Sequence, residues 1–487
     1  MVFNSLSFAL FFPIVTIGYF VLAGRFRWAW LLAASCVFYA AFIPRYLFIL
    51  AGMIVVDFVA GLAIERAVGS WRRWCLGVSL VANIGTLVVF KYFNFFSANV
   101  ASIASALHWN YPVAALSLAL PIGLSFHTFQ AMSYTVEVYR GRQPAERHFG
   151  LFALYVMFYP QVVAGPIERP AHLLPQFREH HDFDVPRVVR GVQLMAWGLF
   201  KKVVIADRLA VIVDRVYGSP ASFAGPELLL ATILFSYQIF CDFSGYSDIA
   251  IGAAEVMGFR LATNFRRPSR ATSISDFWNR WHVSLSTWFR DYVFLPLSGK
   301  HASRARLMAN VGVVFLLSGL WHGANWTYVV WGGIHGALRI TEELSHRTRR
   351  RIAQWVTDRS FDAVYVVVSR IAVFLAVAFA WIFFRASTMT EALTVVRRLT
   401  GGYRRLVSEG IGPTVAHLGV TWGHLLLIAI LLAMLESIHH YQERYGSVRT
   451  RINSWPASAR WSFYYAAIAS VMLLGVFSDS KFIYFQF

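Results

Sequence analysis

His322 stands in the stretch Leu307–Leu338, which contains no Asp, Glu, Lys or Arg. It lies in Ser318–Trp326, SGLWHGANW, and Gly332, Gly333, His335 and Gly336 follow. An imidazole in such surroundings must find a hydrogen-bond partner or remain costly. Gly319, Gly323 and Ala324 remove bulk around it, which lets a backbone or a substrate approach closely. Imidazole, with an ordinary pKa of about 6.5, exchanges a proton near neutrality. The chemistry open to His322 is general-base help to an attacking group, typically worth about 10² to 10⁴ in rate. Packing against a neighbouring helix is the structural alternative, and for His335 it is the leading one. Trp321, Asn325 and Trp326 are close enough in sequence to orient the ring or its substrate, and Trp321 and Asn325 are candidate substrate-binding residues.

A second constellation is Asp276–Tyr292, DFWNRWHVSLSTWFRDY. Ser273 and Asp276 resemble a helix-start capping box, and Asp276 and Arg280 form an i,i+4 pair. Trp278, Trp281, Leu285, Trp288 and Phe289 recur at helical spacing, which predicts one amphipathic helix with an aromatic stripe. A helix lying in the headgroup plane has the same pattern. It needs no histidine, however, and His282 at the edge of the stripe reads as a second catalytic candidate. Trp278, Asn279 and Trp281 are candidates for substrate contact.

A third is Tyr237–Asp248, YQIFCDFSGYSD, which follows an apolar run. Asp242, Ser244, Tyr246 and Asp248 cannot all face lipid, so they line a protein interior or a watery cavity. Asp242, Ser244 and Tyr246 are candidates for a substrate path, with a structural polar cluster as the equal alternative. Pro121 and Gly123 in PIGLSFHTFQ break a helix inside an apolar run and leave His127 at membrane depth. This segment and PQVVAGPIERP at 160–170 read mainly as architecture. There is no GxxxxGK[ST], GxSxG or HExxH motif. His282 and His322 are too far apart in sequence for a local metal-ligand pattern, so no metal is expected. No Ser or Cys is paired with a base, so a covalent enzyme intermediate is not demanded.

The elements that must hold these groups are membrane helices. Of the 487 residues 57% are hydrophobic and 14% charged, with a mean hydropathy of +0.53. Soluble domains carry about 25% charged residues, and a soluble surface this apolar is avoided. Ser5–Gly24, Trp28–Pro44, Phe149–Ile167, Ile411–Leu435 and Trp461–Ser478 are uncharged runs near the length a span needs. Leu307–Leu338 is long enough for two spans joined by a tight turn, and Tyr46–Ile64 is broken only by Asp57. The rule yields about 11 to 13 transmembrane or re-entrant helices. The runs are continuous rather than alternating, which excludes a β-barrel reading. Met1–Leu6 carries no charged side chain, so the first run reads as a retained helix.

The net charge of +19 falls in short loops such as Arg347–Arg351, as membrane proteins place it, and nucleic acid is not the expected partner. Cys36, Cys75 and Cys241 form no disulfide framework. The chain is expected to be one membrane domain, with plain spans in 1–120, a motif-rich core in 121–340 and plain spans again in 341–487. No internal repeat supports an inverted-repeat transporter, but a transporter or a scaffold recruiting a soluble transferase are the rival readings.

Taken together these motifs resemble the membrane-bound O-acyltransferase superfamily, and most closely its bacterial branch, whose members modify exported alginate and teichoic acid. The matching segments are LPIGLSFHTFQ (120–130), VAGPIERP (163–170), FKK (200–202), CDFSGYSDIAIG (241–252), NFRRP (264–268), DFWNRWHVSLSTWFRDYVF (276–294) and GLWHGANWTYVVWGGIHG (319–336). The resemblance implies a helical bundle around a central tunnel. It places the family's essential histidine at His322 and its second histidine at His282. It implies no bound cofactor, with acetyl-CoA or another acyl thioester arriving from the cytoplasm as donor. The implied acceptor is a hydroxyl of an exported polysaccharide, often reached through a periplasmic or membrane-anchored partner protein. The implied setting is the bacterial inner membrane.

Overall fold

The computed structural model describes residues 1–118, 120–299, 301–477 and 482–483. All regular elements among them are helices. Six are long and apolar enough to cross a membrane: Tyr46–Arg66, Ser70–Ala106, Gly225–Met257, Arg304–His322, Asp362–Arg385 and Trp422–Tyr445. Leu6–Val21 is a shorter apolar helix. Leu10, Phe48, Val81, Val364, Ile430 and Leu473 are exposed, as expected of side chains that meet lipid tails. Residues divide into two compact units, Met1–Ala196 with Tyr246–Thr263, and Trp197–Gly245 with Asn264–Phe487.

In the first unit, Asp57 of the Tyr46–Arg66 helix is fully buried. A carboxyl group there survives only if its oxygens are hydrogen-bonded. Ser79 Oγ donates to Oδ1 at 2.6 Å, and Asn83 Nδ2 reaches Oδ1 and Oδ2 at 2.9 and 3.0 Å. Ser79 Oγ also lies 3.0 Å from Thr135 Oγ1, which ties in the Leu124–Tyr139 helix. The break expected at Pro121 and Gly123 is present: Gly123 has φ +76° directly before Leu124, and a methyl there would strike the Val162 carbonyl.

The run Phe149–Ile167 departs from the expected span. Its helix, Phe149–Met157, has only nine residues, and turns follow it. Gly150 to Glu168 are all buried. An uninterrupted apolar run satisfies the hydropathy rule whether lipid or protein covers it, and irregular backbone at membrane depth persists where protein covers it.

The second unit is built on a helical hairpin, Arg304–His322 and Trp326–Leu344, with the tight turn expected within Leu307–Leu338; of its two helices, Arg304–His322 is among the six long and apolar enough to cross a membrane. Glycine permits the close approach. A methyl at Gly319 would run into the Tyr328 carbonyl, and one at Gly332 would meet the Phe315 carbonyl and, at 3.2 Å, Gly319 Cα. Trp331, Trp381 and Phe235 are among the large side chains fully buried in this core.

Candidate functional site

Residues 273–289 carry the first surprise. Ser273 caps its helix as expected, its Oγ accepting the Asp276 N–H at 3.0 Å, and Arg280 pairs with Asp276 at 2.7 Å. The predicted single helix is nevertheless broken. One helix ends at Arg280, the next starts at Val283, and His282 between them has φ +42° and ψ +54°. The interfacial amphipathic helix is thereby corrected to two short helices around a kink, with Trp281, His282, Leu285, Trp288 and Phe289 buried. A left-handed backbone at a non-glycine residue costs about 1–2 kcal/mol and persists only where the surroundings enforce it. Here the loop before Ser273 enforces it. Val283 N–H donates to the Asn264 carbonyl, and Arg266 N–H to the Arg280 carbonyl, both at 2.9 Å.

Asn264 also sets the state of the ring. Its Oδ1 lies 3.0 Å from His282 Nδ1, 2.9 Å from Ser284 Oγ and 3.4 Å from Ser284 N. The Ser284 N–H can only donate, so the shared atom is the amide oxygen, and His282 Nδ1 must carry a proton toward it. In the neutral ring the lone pair is then on Nε2. A neutral His282 can accept a proton or a hydrogen bond there; polarising a carbonyl would require the ring to be charged.

His322 is buried in the last turn of its helix. Its ring makes edge contacts with Trp321 at 4.9 Å, Trp331 at 5.0 Å and Phe384 at 5.3 Å. Trp321 also contacts His282 at 6.1 Å, so one indole stands between the two histidines. Trp281 packs on Phe277, Phe265 and Trp381, and Trp278 on Phe315, Trp331 and His335. The structure therefore gathers His282, His322, Trp278, Trp281 and Trp321 into one aromatic cluster. A narrow cleft lined by Tyr237, Phe240, Phe277, Trp281, Arg370 and Trp381 reaches this cluster.

Asp242 and Ser244 join it through Phe243, whose ring lies 4.7 Å from His282. Their own atoms serve a charge network. Asp242 Oδ1 is 2.6 Å from Lys202 Nζ, and Oδ2 accepts the Ile483 N–H at 2.8 Å. Lys202 also pairs with Asp207 at 2.8 Å, and Lys201 donates to Ser244 Oγ at 2.9 Å. Lys201 and Lys202 begin a π-helical turn, Lys201–Ala206, and both are buried. A π-turn inserts a residue into the helical register, which brings two consecutive lysines inside. Sequence reasoning missed Asn264, Lys201, Lys202 and Asp207; two adjacent cations in an apolar segment were the available signal.

Three predicted contacts lie elsewhere. Asn279 is exposed on its short helix. Asn325 caps the Trp326–Leu344 helix: its Oδ1 accepts the Thr327 N–H at 3.1 Å and its Nδ2 donates to the Ser387 carbonyl at 3.0 Å. Tyr246 belongs to the first unit, where its ring stacks on Phe3 at 4.4 Å. His127 is likewise buried in the first unit, with Tyr39 at 6.2 Å.

Comparison with known proteins identifies the family. The model of the MBOAT, membrane-bound O-acyltransferase family matches residues 16–384. The chain is 33% identical to the peptidoglycan O-acetyltransferase of Helicobacter pylori over 441 residues, covering 82% of this chain and 80% of that protein. It is 37% identical to the probable alginate O-acetylase AlgI of Pseudomonas aeruginosa over 396 residues, 80% of this chain and 73% of the relative. It is 27% identical to the teichoic acid D-alanyltransferase of Bacillus subtilis over 262 residues, 51% and 65% of the two chains. A multi-pass helical chain that this family model matches over residues 16–384, with relatives at 33% and 37% identity over most of both chains, belongs to the membrane-bound O-acyltransferase family.

Proposed function

We propose that the protein takes an acetyl group from a cytoplasmic thioester, acetyl-CoA or another acyl carrier, and passes it to an acceptor hydroxyl, with His322 as general base, on its way to the hydroxyls of an exported polysaccharide. The observation that carries the reading is His322 itself: a buried imidazole at a helix end, walled by Trp321, Trp331 and Phe384. The names of relatives that acetylate peptidoglycan and alginate support a glycan acceptor and a bacterial inner-membrane setting. The cleft lined by Arg370 supports an anionic donor, because Arg270, Arg280 and Arg370 share Glu443 at 2.9, 3.6 and 3.4 Å and, among the described residues, only Arg280 has a second carboxylate, Asp276, so cations outnumber carboxylates there.

In the reaction the acceptor O–H gives its proton to the His322 ring as its oxygen bonds to the acyl carbon. The carbonyl electron pair moves onto oxygen. Collapse of that intermediate breaks the C–S bond, and the departing thiolate takes the proton to leave as thiol. The negative end of the helix that closes at His322 favours the transient imidazolium. His282, with Nδ1–H held by Asn264, offers Nε2 as an acceptor that orients the incoming hydroxyl or thiol. Trp278, Trp281 and Trp321 exclude water, which would otherwise hydrolyse the thioester.

A polymer of many sugars cannot enter an aromatic cluster buried among helices. A second protein, periplasmic or membrane-anchored, therefore carries the acetyl group to the polymer. The test uses a strain lacking the gene, complemented with the wild-type chain, with and without its genomic neighbours. Acetate released from envelope polysaccharide by mild alkali should return only when both the chain and a partner are present. Full acetylation of polymer by the purified chain alone would contradict the two-protein scheme, and no acetate under any combination would contradict the activity.

A further inference from the structure

Next to His322 the second unit holds buried polar atoms that no protein group matches. Both ring nitrogens of His335 and the indole nitrogens of Trp278 and Trp331 are buried without a hydrogen-bond partner. The three rings touch one another. His335 lies 4.9 Å from Trp331 and 5.0 Å from Trp278, and the two indoles are 5.9 Å apart. Phe277, Phe315 and Trp381 stand around the imidazole at 6.2, 6.3 and 6.4 Å. His335 is fully buried, so water at the surface does not solvate it.

A phenylalanine would fill this aromatic box without the penalty of two unmatched nitrogens, because a buried donor or acceptor left unmade is costly. The chemistry of the four atoms narrows what would match them. Each indole has one N–H and no acceptor, and a neutral imidazole has one N–H and one lone pair. Three donors against one acceptor suit an oxygen with lone pairs and repel a cation.

We propose that His335, Trp278 and Trp331 bind the carbonyl oxygen of the acyl group during transfer. The inference rests on the acyl-transfer reading above and adds to it the seat of the oxyanion. Trp331 touches both His322, at 5.0 Å, and His335, at 4.9 Å, so an oxygen held here sets its carbonyl carbon beside the ring that walls the base. When the acceptor oxygen bonds to that carbon, the carbonyl electron pair becomes a negative charge on the held oxygen. The N–H groups stabilise it until the C–S bond breaks and the thiol departs with the proton from His322. Fixed donors in a water-poor site act strongly on such a charge, and losing one typically lowers turnover by about 10² to 10³.

The experiment compares His335→Phe with the wild-type chain in the complemented deletion strain. It reads the initial rate of alkali-labile acetate accumulation per folded protein, and the unfolding midpoint of the purified chain. The expected result is an unchanged or raised midpoint with a rate lowered by about 10 to 10³. As a second variant, replacement of Trp331 by 3-benzothienylalanine keeps the bicyclic ring and removes only the N–H, and should lower the rate in the same way. Wild-type rates in both variants would overturn the proposal. So would a lowered midpoint with rates falling only in proportion to folded protein, which marks a structural water. Absence of acetate from the wild-type strain would instead sink the acyl-transfer reading itself.

Discussion

Replacing Lys202 with Met should unfold the second unit more readily than any neighbouring surface change. The ammonium group stands 2.6 Å from Asp242 and 2.8 Å from Asp207, and all three side chains are at least 93% buried. Lys201, which donates to Ser244, is the other buried cation of the network. Met keeps the length of the Lys stem, so packing is nearly conserved and the loss isolates charge. Removing one partner from a buried ion pair costs about 3–5 kcal/mol, because the other charge stays uncompensated. Here two carboxylates share one lysine, which places the cost at the upper end, ~5 kcal/mol. The double variant Lys202→Met/Asp242→Asn removes one of the stranded charges and should recover roughly half of that loss. The assay is SDS-driven unfolding of the chain in detergent micelles, followed by tryptophan fluorescence. A single variant within about 1 kcal/mol of wild type, or a double variant no better than the single, would refute the reasoning.

Three further outcomes are expected. Gly319→Ala should destabilise the hairpin by about 1–3 kcal/mol in the same assay, since its methyl meets the Tyr328 carbonyl, whereas Gly312→Ala, with nothing within 4 Å, should be neutral or stabilising. His282→Asn keeps a residue that tolerates the left-handed backbone but lacks the ring; acetate transfer should fall by about 10-fold or more at unchanged protein level, and undiminished transfer would remove His282 from the site. In the polar loop outside the spans, His172 Nδ1–H donates to Glu168 Oε2 at 2.7 Å, which holds the imidazole above its ordinary pKa. A raised folded pKa contributes stability that is complete below about pH 6.5 and lost as pH rises through the folded value. Protease protection of this loop should therefore weaken, by at most about 1 kcal/mol, between about pH 6 and pH 9, and His172→Gln should abolish the dependence.

Much of this was legible because local chemistry decided it. The Ser273 cap, the Asp276–Arg280 pair and the break at Gly123 follow from residues within a few positions of one another. A tight turn within Leu307–Leu338 follows from the length of that uncharged run, although Asn325, read as a substrate contact, is in fact the cap of the second helix. The kink at His282 was hidden because no Gly or Pro marks it: the backbone is imposed by Asn264 and Arg266, remote in sequence. Phe149–Ile167 misled because hydropathy does not distinguish lipid from protein as the covering medium. Asn279 misled because a helix of seven residues, Ile274–Arg280, turns it outward while Trp278 faces in. The partners of Asp57, and Asp242 as a partner of Lys202, come from other helices, which no single stretch of sequence announces.

The central claim is that the His322 ring moves the proton. The direct measurement is alkali-labile acetate in the deletion strain carrying His322→Gln, with folded membrane protein quantified beside it. Gln keeps a hydrogen-bonding side chain but takes no proton at neutral pH. The account predicts normal folded protein and a transfer rate lower by about 10² or more. Near-normal acetate at equal protein level would contradict it.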